Sequence, residues 1–288
     1  MALGEAEQDA AGAAARAGVV VRAVDSVVEL RGVADLFSRI WATPLVPPMP
    51  HDIMRSLAHA GGRVHGAFRE GQLVGASVAV FGSPASASCY SLIAGVSPEA
   101  ASRGVGLALK LAQRVWALRA GVVWMNWTFD PLLRRNARFN ISRLGAVGTE
   151  YLVDFYGEIA DGVNDPETDR LTVSWDLQAA LPGSRASADL LAPRVPSGED
   201  MPHAILAAGP AGEPVAETVP GAGGSGPGRL RCWIPDGILS IRQTDPGLAG
   251  RWRLAVREAL GGAIGDGYQV TGLMEPGWYV LEKAQAGR

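Results

Sequence analysis

The stretch Val96–Lys110 reads VSPEAASRGVGLALK. The apolar run Cys89–Val96 before it predicts a strand, Pro98 marks a short turn, and Gly104 and Gly106 open a helix that runs to about Gly121. Small residues at a helix start leave backbone N–H groups unshielded where the first four donors have no intrahelical partner. The helix dipole places partial positive charge at the same end. That combination suits a phosphate, and two linked phosphates suit it better. The same residues also serve an ordinary turn that uses glycine for its backbone freedom, so the stretch alone leaves both readings open.

Downstream, the helix carries Ala108, Leu111, Ala112, Val115 and Leu118 on one apolar stripe, with Lys110, Gln113 and Arg114 facing elsewhere. Gly121 ends it. Val122–Phe129, VVWMNWTF, is nearly unbroken apolar sequence, as expected of a strand buried on both faces; Asn126 and Thr128 are its polar exceptions. Asp130-Pro131 closes that strand. Asn136–Leu144 predicts a short helix stopped by Gly145, and Tyr151–Tyr156 and Leu171–Trp175 predict two strands.

Upstream, Val19–Val24 reads as a first strand. Ser26 with Glu29 is a capping-box pattern ahead of apolar residues at helical spacing from Val27 to Ile40. WATPLVPPMP, ending at Pro50, is a proline-stiffened loop, and His51–His59 predicts a second helix ended by Gly61-Gly62. Arg63–Arg69, the turn Glu70-Gly71-Gln72 and Leu73–Phe81 form a hairpin signal. Residues 1–16 are Ala-rich and acidic, lack the pattern of a signal peptide, and are expected to be a disordered tail.

Composition bounds the function. With 48% apolar and 19% charged residues over 288 positions, the chain has core material for one large domain or two modest ones. A net charge of −3 supplies no global field for nucleic acid. No segment approaches a membrane-spanning length of about 20 apolar residues. Cys89 and Cys232 fit a reducing cytosol, and His51, His59, His65 and His203 form no zinc spacing, so a cytoplasmic protein without metal or membrane partner is expected.

From Gln178 to Gly228 the composition shifts to Ala, Pro, Gly and Ser, predicting a linker in which Leu190–Val195 and His203–Ala207 have room for short structure. Leu230–Ile234, Pro246–Leu260, Tyr268–Met274 and Trp278–Lys283 then predict strand, helix, strand, strand. That order repeats the second half of the preceding region. Residues 229–288 are therefore either a degenerate half-repeat packing on the first domain or an unrelated α+β appendage.

The glycine stretch resembles the pantetheine- and pyrophosphate-binding loop of the GNAT superfamily, the acyl-CoA-dependent N-acetyltransferases. The family pattern is Arg or Gln, two residues, Gly, one residue, then Gly or Ala. Gly104 and Gly106 match its small positions, and its leading position falls on Ala101, with Ser102 and Arg103 beside it. Asn136–Ala146, NARFNISRLGA, resembles the family's second conserved stretch, and the order of elements over residues 17–178 is also similar. The resemblance implies an α+β fold: a mixed, mostly antiparallel central sheet flanked by helices. It implies acetyl-CoA or another acyl-CoA as cofactor, held by Gly95, Val96, Arg103, Gly104, Val105, Gly106, Leu107, Ala108 and Asn136. Asn136 has the alternative role of an N-cap.

In such an enzyme the amine attacks the thioester directly, helped by orientation, an amide near the thioester oxygen, a base and an acid. The gap that holds the thioester would be bordered by Leu92–Val96 and Asn126–Asp130. The family's acid, a Tyr, falls on Ile141, and Cys89–Val96 holds none of the carboxylates that often serve as base. Asp130 is the first substitute and Tyr90 the second; Asp130 is equally a turn former, and Tyr90 a half-buried strand aromatic. Tyr151, Tyr156 and His65 are weaker candidates. The expected partner is a small-molecule or protein amine, acting on a monomer or homodimer. The alternatives are a catalytically idle CoA-binding module and a related acyl-CoA reaction such as decarboxylation.

Overall fold

The computed structural model describes residues 2–43, 45–157, 168–183, 201–218 and 227–284. Their contacts divide into two units. The first comprises the described parts of 1–127 with 176–179, and the second those of 128–158, 166–175 and 180–288.

In the first unit, local signals become structure nearly as written. Strand β1 (Val20–Ala23) leads to helix α2 (Val27–Trp41), and Ser26 caps it: Glu29 N–H donates to Ser26 Oγ at 3.3 Å, while the Ser26 hydroxyl donates to Glu29 Oε2 at 2.7 Å. Helix α3 (His51–His59) follows, then the hairpin β2 (Arg63–Arg69) and β3 (Gln72–Phe81), β4 (Ser88–Val96), helix α4 (Val105–Arg119) and β5 (Trp124–Phe129). The sheet runs β1-β2-β3-β4-β5, antiparallel except for the parallel β4–β5 pair. Leu30, Val33, Phe37 and Met54 of α2 and α3 bury against Val64 and Val78 on one face. Gly95 is required there. A Cβ on it would lie 2.9 Å from Ile40 Cδ1 and from the Trp41 ring.

Two expectations for this unit are corrected. Residues expected to be a disordered tail form helix α1 (Ala2–Ala17), which packs on α4 with Ala6, Ala13 and Ala17 buried. Asp9 pairs with Arg114 at 3.2 Å and Glu7 with Arg119 at 2.7 Å. Alanine carries little transfer energy per residue, but it lets two helices approach closely, so the contact leaves a weak hydrophobic pattern. As a consequence α4 is covered on two sides, and Lys110, Gln113 and Arg114 are buried rather than turned to solvent. Arg114 donates to the carbonyls of Leu177 and Ala179 at 2.8 Å each.

The second unit contains α5 (Arg134–Ala137) continued by a wider turn over Arg138–Arg143, β6 (Val147–Leu152), β7 (Arg170–Asp176), β8 (His203–Ala208) and β9 (Pro214–Ala216). Then come β10 (Arg229–Trp233), α6 (Ile238–Thr244), α7 (Pro246–Gly265), β11 (Tyr268–Met274) and β12 (Trp278–Lys283). Its strands run β7-β6-β11-β12-β10-β8-β9. Strands β8 and β9 lie within the stretch expected to be linker, because β8 pairs in parallel with β10 over a sequence separation that local pattern does not report. Leu190–Val195 lies outside the described residues.

The strand expected over residues 151–156 is β6, which starts at Val147 and stops at Leu152. Asp154 turns the chain with φ of +47°, its N–H donating to Asp169 and its carboxylate accepting from Thr168 N–H. β6 and β11 meet antiparallel at Gly148 and Val270, where a Cβ on Gly148 would lie 2.8 Å from Val270 Cβ. β4 is parallel to β5, β8 is parallel to β10, and both β6–β7 and β11–β12 are antiparallel.

Candidate functional site

The loop between β4 and α4 is exposed at residues 102–104 and carries two left-handed residues. Ser102 and Gly104 both adopt left-handed backbone, with φ of +62° and +84°. Gly104 is the N-cap of α4 and offers no side-chain cap to the first-turn amides. A left-handed residue leading directly into a right-handed helix, as Gly104 does here, is one of the backbone arrangements that turn successive N–H groups toward an anion. Ser102, Arg103 and Gly104 are exposed, and Val105, Leu107 and Ala108 are buried under them as the hydrophobic footing of the helix. Gly106 comes back toward the end of β4, since a Cβ on it would stand 4.0 Å from Val96 Cγ2.

β4 separates from β5 on its way to this loop. Ser88, Cys89 and Tyr90 pair with Trp124, Met125 and Asn126, whereas β4 continues to Val96 and β5 to Phe129. The β3–β4 register slips between Ile93 and Ser91, a bulge at Leu92. A bulge adds twist and bends the strand that carries it. Beyond Tyr90, among the described residues, the edge of β4 that faced β5 has no strand partner on that side. An elongated ligand with acceptor oxygens matches such an edge, and its diphosphate matches the loop at the end of it.

The proton carriers expected from the sequence take other places. Asp130 is not a free base. Arg253 donates to both carboxylate oxygens at 2.8 Å, Arg242 to one at 3.2 Å, and Leu132 N–H to the other at 2.9 Å. Burial pushes this carboxyl up, but the hydrogen bonds and charge of Arg253, the Leu132 amide and Arg242 outweigh it and hold the pKa below the usual carboxylate range. A saturated, low-pKa carboxylate is a poor proton acceptor. Tyr151 donates to Asp169 at 2.8 Å, and burial, then that carboxylate, push its pKa far up. Tyr90 is half-buried on the last paired rung before the strands part. Asn136 is not an N-cap: it lies inside α5, whose N-cap is Leu133. Ile141, where the family's Tyr would fall, is buried.

Sequence reasoning missed Lys110. Its Nζ lies 3.7 Å from the centre of the Trp127 ring, and its side chain is buried against the sheet on the same side as Cys89. The ring face favours an ammonium. Burial opposes it more strongly and pulls the pKa down to about 7. In the sequence Lys110 shares a polar face with Gln113 and Arg114, so no local signal marks it as buried. Cys89 and Cys232 are both free and buried, and burial raises each thiol to about 12.

No protein-family model matches the sequence, and no curated protein matches it. Among solved structures the chain is similar to an N-acetyltransferase from Staphylococcus aureus Mu50, at 12% identity and TM-score 0.47 over 55% of this chain and 98% of that one. It is similar to the ribosomal-protein-S18-alanine N-acetyltransferase from Escherichia coli, at 12% identity and TM-score 0.46 over 56% and 96%. A GNAT superfamily phosphinothricin acetyltransferase from Sinorhizobium meliloti, in complex with AcCoA, is similar at 15% identity and TM-score 0.46 over 59% and 91%. Among the described residues, no helix is long and apolar enough to cross a membrane.

Proposed function

We propose that the chain is an acyl-CoA-dependent N-acyltransferase of the GNAT type, using acetyl-CoA or another acyl-CoA and an amine acceptor. The observation that carries this reading is the uncapped N-terminus of α4, with Ser102 and Gly104 left-handed, at the end of a strand that has just parted from its neighbour. The loop amides from Arg103 to Leu107 would hold the diphosphate, and the free edge of β4 would align the pantetheine. Bound there, acyl-CoA would supply an activated thioester. Tyr90 is the group assigned to protonating the leaving thiolate, since it stands at the base of the parting strands. Asp130 is assigned no proton transfer, because its lone pairs are committed to two arginines and an amide.

A second reading is favoured by one observation: neither Ile141 nor the ion-paired Asp130 can carry a proton. In that reading the loop binds CoA without turnover. Purified protein mixed with acetyl-CoA and a panel of amines separates the two, with free thiol and calorimetry as readouts. Thiol release that depends on the amine, lost in Tyr90→Phe with the KM for acetyl-CoA unchanged, supports transfer. Binding without thiol release supports the module, and carbon dioxide from malonyl-CoA would indicate decarboxylation instead. No heat of binding at roughly millimolar CoA would overturn both readings.

A further inference from the structure

The first unit contains a cavity of about 720 Å³ that the acyl-transfer reading does not use. It opens between α1, α4 and the β1–β2 side of the sheet, with Arg63, His65, Phe81, Trp116 and Arg119 among its walls. The wall residues of α4 begin at Ala112, so Trp116 stands about 18 Å along the helix from Gly104 at the usual rise per residue. A volume in the range of about 300–1,000 Å³ is that of small-molecule sites.

Its chemistry is uneven in an informative way. Arg119 is paired with Glu7 at 2.7 Å, and Arg22 with Glu29 at 2.5 Å. The Arg63 side chain makes no ion pair or hydrogen bond with any described residue. Two positions along the same strand, and therefore on the same face, lies His65. His65 is only 7% exposed, and its Nδ1 is buried without a hydrogen-bond partner. Such orphans are rare in folded proteins and call for an explanation. The apolar part of the lining comes from Phe81, on the same sheet face as Arg63, and from Trp116 of α4, which stack at 4.4 Å with 22° between their rings; Phe81 is 38% exposed.

We infer that this cavity is a binding site for a small organic monoanion: a carboxylate that pairs with Arg63 and His65 and carries a flat apolar body against Trp116 and Phe81. One unpaired guanidinium matches one carboxylate, which it can meet with two parallel N–H···O bonds. The His65 ring, kept neutral by burial and by the neighbouring Arg63 charge, has a pKa lowered to about 4 and offers one donor or acceptor without adding charge. A dianionic phosphate would find a single free cation. The aromatic pair supplies the contact area that a bare inorganic anion cannot use.

The test uses the full-length protein and benzoate as probe, followed by NMR of the His65 ring and of the Trp116 indole N–H, the latter assigned with Trp116→Phe. Benzoate is expected to move both signals saturably at millimolar concentration, while the neutral isostere benzamide and inorganic phosphate move neither. Arg63→Gln is expected to weaken binding about tenfold or more. Arg63→Lys should retain part of it, as a point charge does without the fork. Thermal melts of both variants check folding, and Trp116→Leu gives an independent loss if Arg63→Gln is unstable. Equal response to benzoate and benzamide, equal response to phosphate, or undiminished binding in both Arg63→Gln and Trp116→Leu would overturn the assignment. So would silence at both signals at roughly 20 mM benzoate. Calorimetry with CoA on Arg63→Gln reports on the α4 loop separately, so failure at one site is not mistaken for failure at the other.

Discussion

Arg253 of α7 holds Asp130 at the end of β5 through two hydrogen bonds of 2.8 Å, across 123 positions of sequence. Both side chains are buried, at 1% and 7% exposure. The Asp-Pro corner that looked like a turn or a catalytic base is thus the anchor for a helix of the C-terminal region. Tyr279 adds a second tie, donating from its hydroxyl to the carbonyl of Pro131 at 2.8 Å.

Arg253→Met is expected to destabilise the protein by about 3–5 kcal/mol, because it leaves a buried carboxylate short of its main partner. Asp130→Leu combined with Arg253→Met should cost clearly less than the sum of the single changes, since two matched charges are then absent together. Urea melts of the four proteins check both statements.

Acid should loosen the same region. Asp130 and Asp169 both have folded-state pKa values below their ordinary ones. Burial pushes each up, but the Arg253 bonds on Asp130, and those of Arg257 and Tyr151 on Asp169, prevail. Groups of this kind add stability above the unfolded carboxylate pKa of about 3.9, and it is lost as pH falls through the lower folded value. Stability measured from pH 6 downward is therefore expected to fall below about pH 4, with a smaller loss in Asp130→Asn measured from its own baseline.

Lys110 should produce a slope of the opposite origin. Its folded pKa of about 7 lies below that of an unfolded lysine, so between the two values the unfolded chain binds the extra proton. Stability is then expected to rise with pH from about 7 toward about 10. Lys110→Met should flatten that rise and raise stability at neutral pH. Denaturant melts at neutral and alkaline pH decide the point.

Gly104→Ala tests backbone conformation rather than space. A Cβ there would stand 3.7 Å from Ala17 Cβ, an ordinary contact, while φ stays at +84°. The expected cost is about 1 kcal/mol of strain. Gly106→Ala adds a Cβ that meets nothing closer than 4.0 Å, so stability should hold while the new methyl screens the loop amides. CoA affinity should fall about tenfold or more by calorimetry.

Ala6→Asp should detach α1. Ala6 is fully buried on a helix that packs on α4, and a carboxylate there loses its hydration in a space sized for a methyl group. Hydrogen exchange is expected to speed up along residues 2–17 and at the face of α4 bearing Arg114, which the Asp9 pair helps to hold.

What was legible in the sequence was local. The Ser26–Glu29 cap, the Glu70-Gly71 hairpin, the glycine turn at Gly104 and the last two strands each depend on residues within a few positions of one another. Helix α1, the burial of Lys110 and strand β8 left only faint marks, because alanine packing and parallel pairing depend on surfaces far away in the chain.

The sequence by itself determined an α+β chain with an uncapped, glycine-opened helix following a strand, since turn chemistry and periodicity act over a turn or two of backbone. Only the tertiary structure decided what each polar group does. It committed Asp130 to Arg253, parted β4 from β5 at Tyr90, and left Arg63 beside His65 in a cavity. A side chain's charge state and partners are set by long-range burial and by which helix comes to rest against it, and neither is written in the spacing of nearby residues.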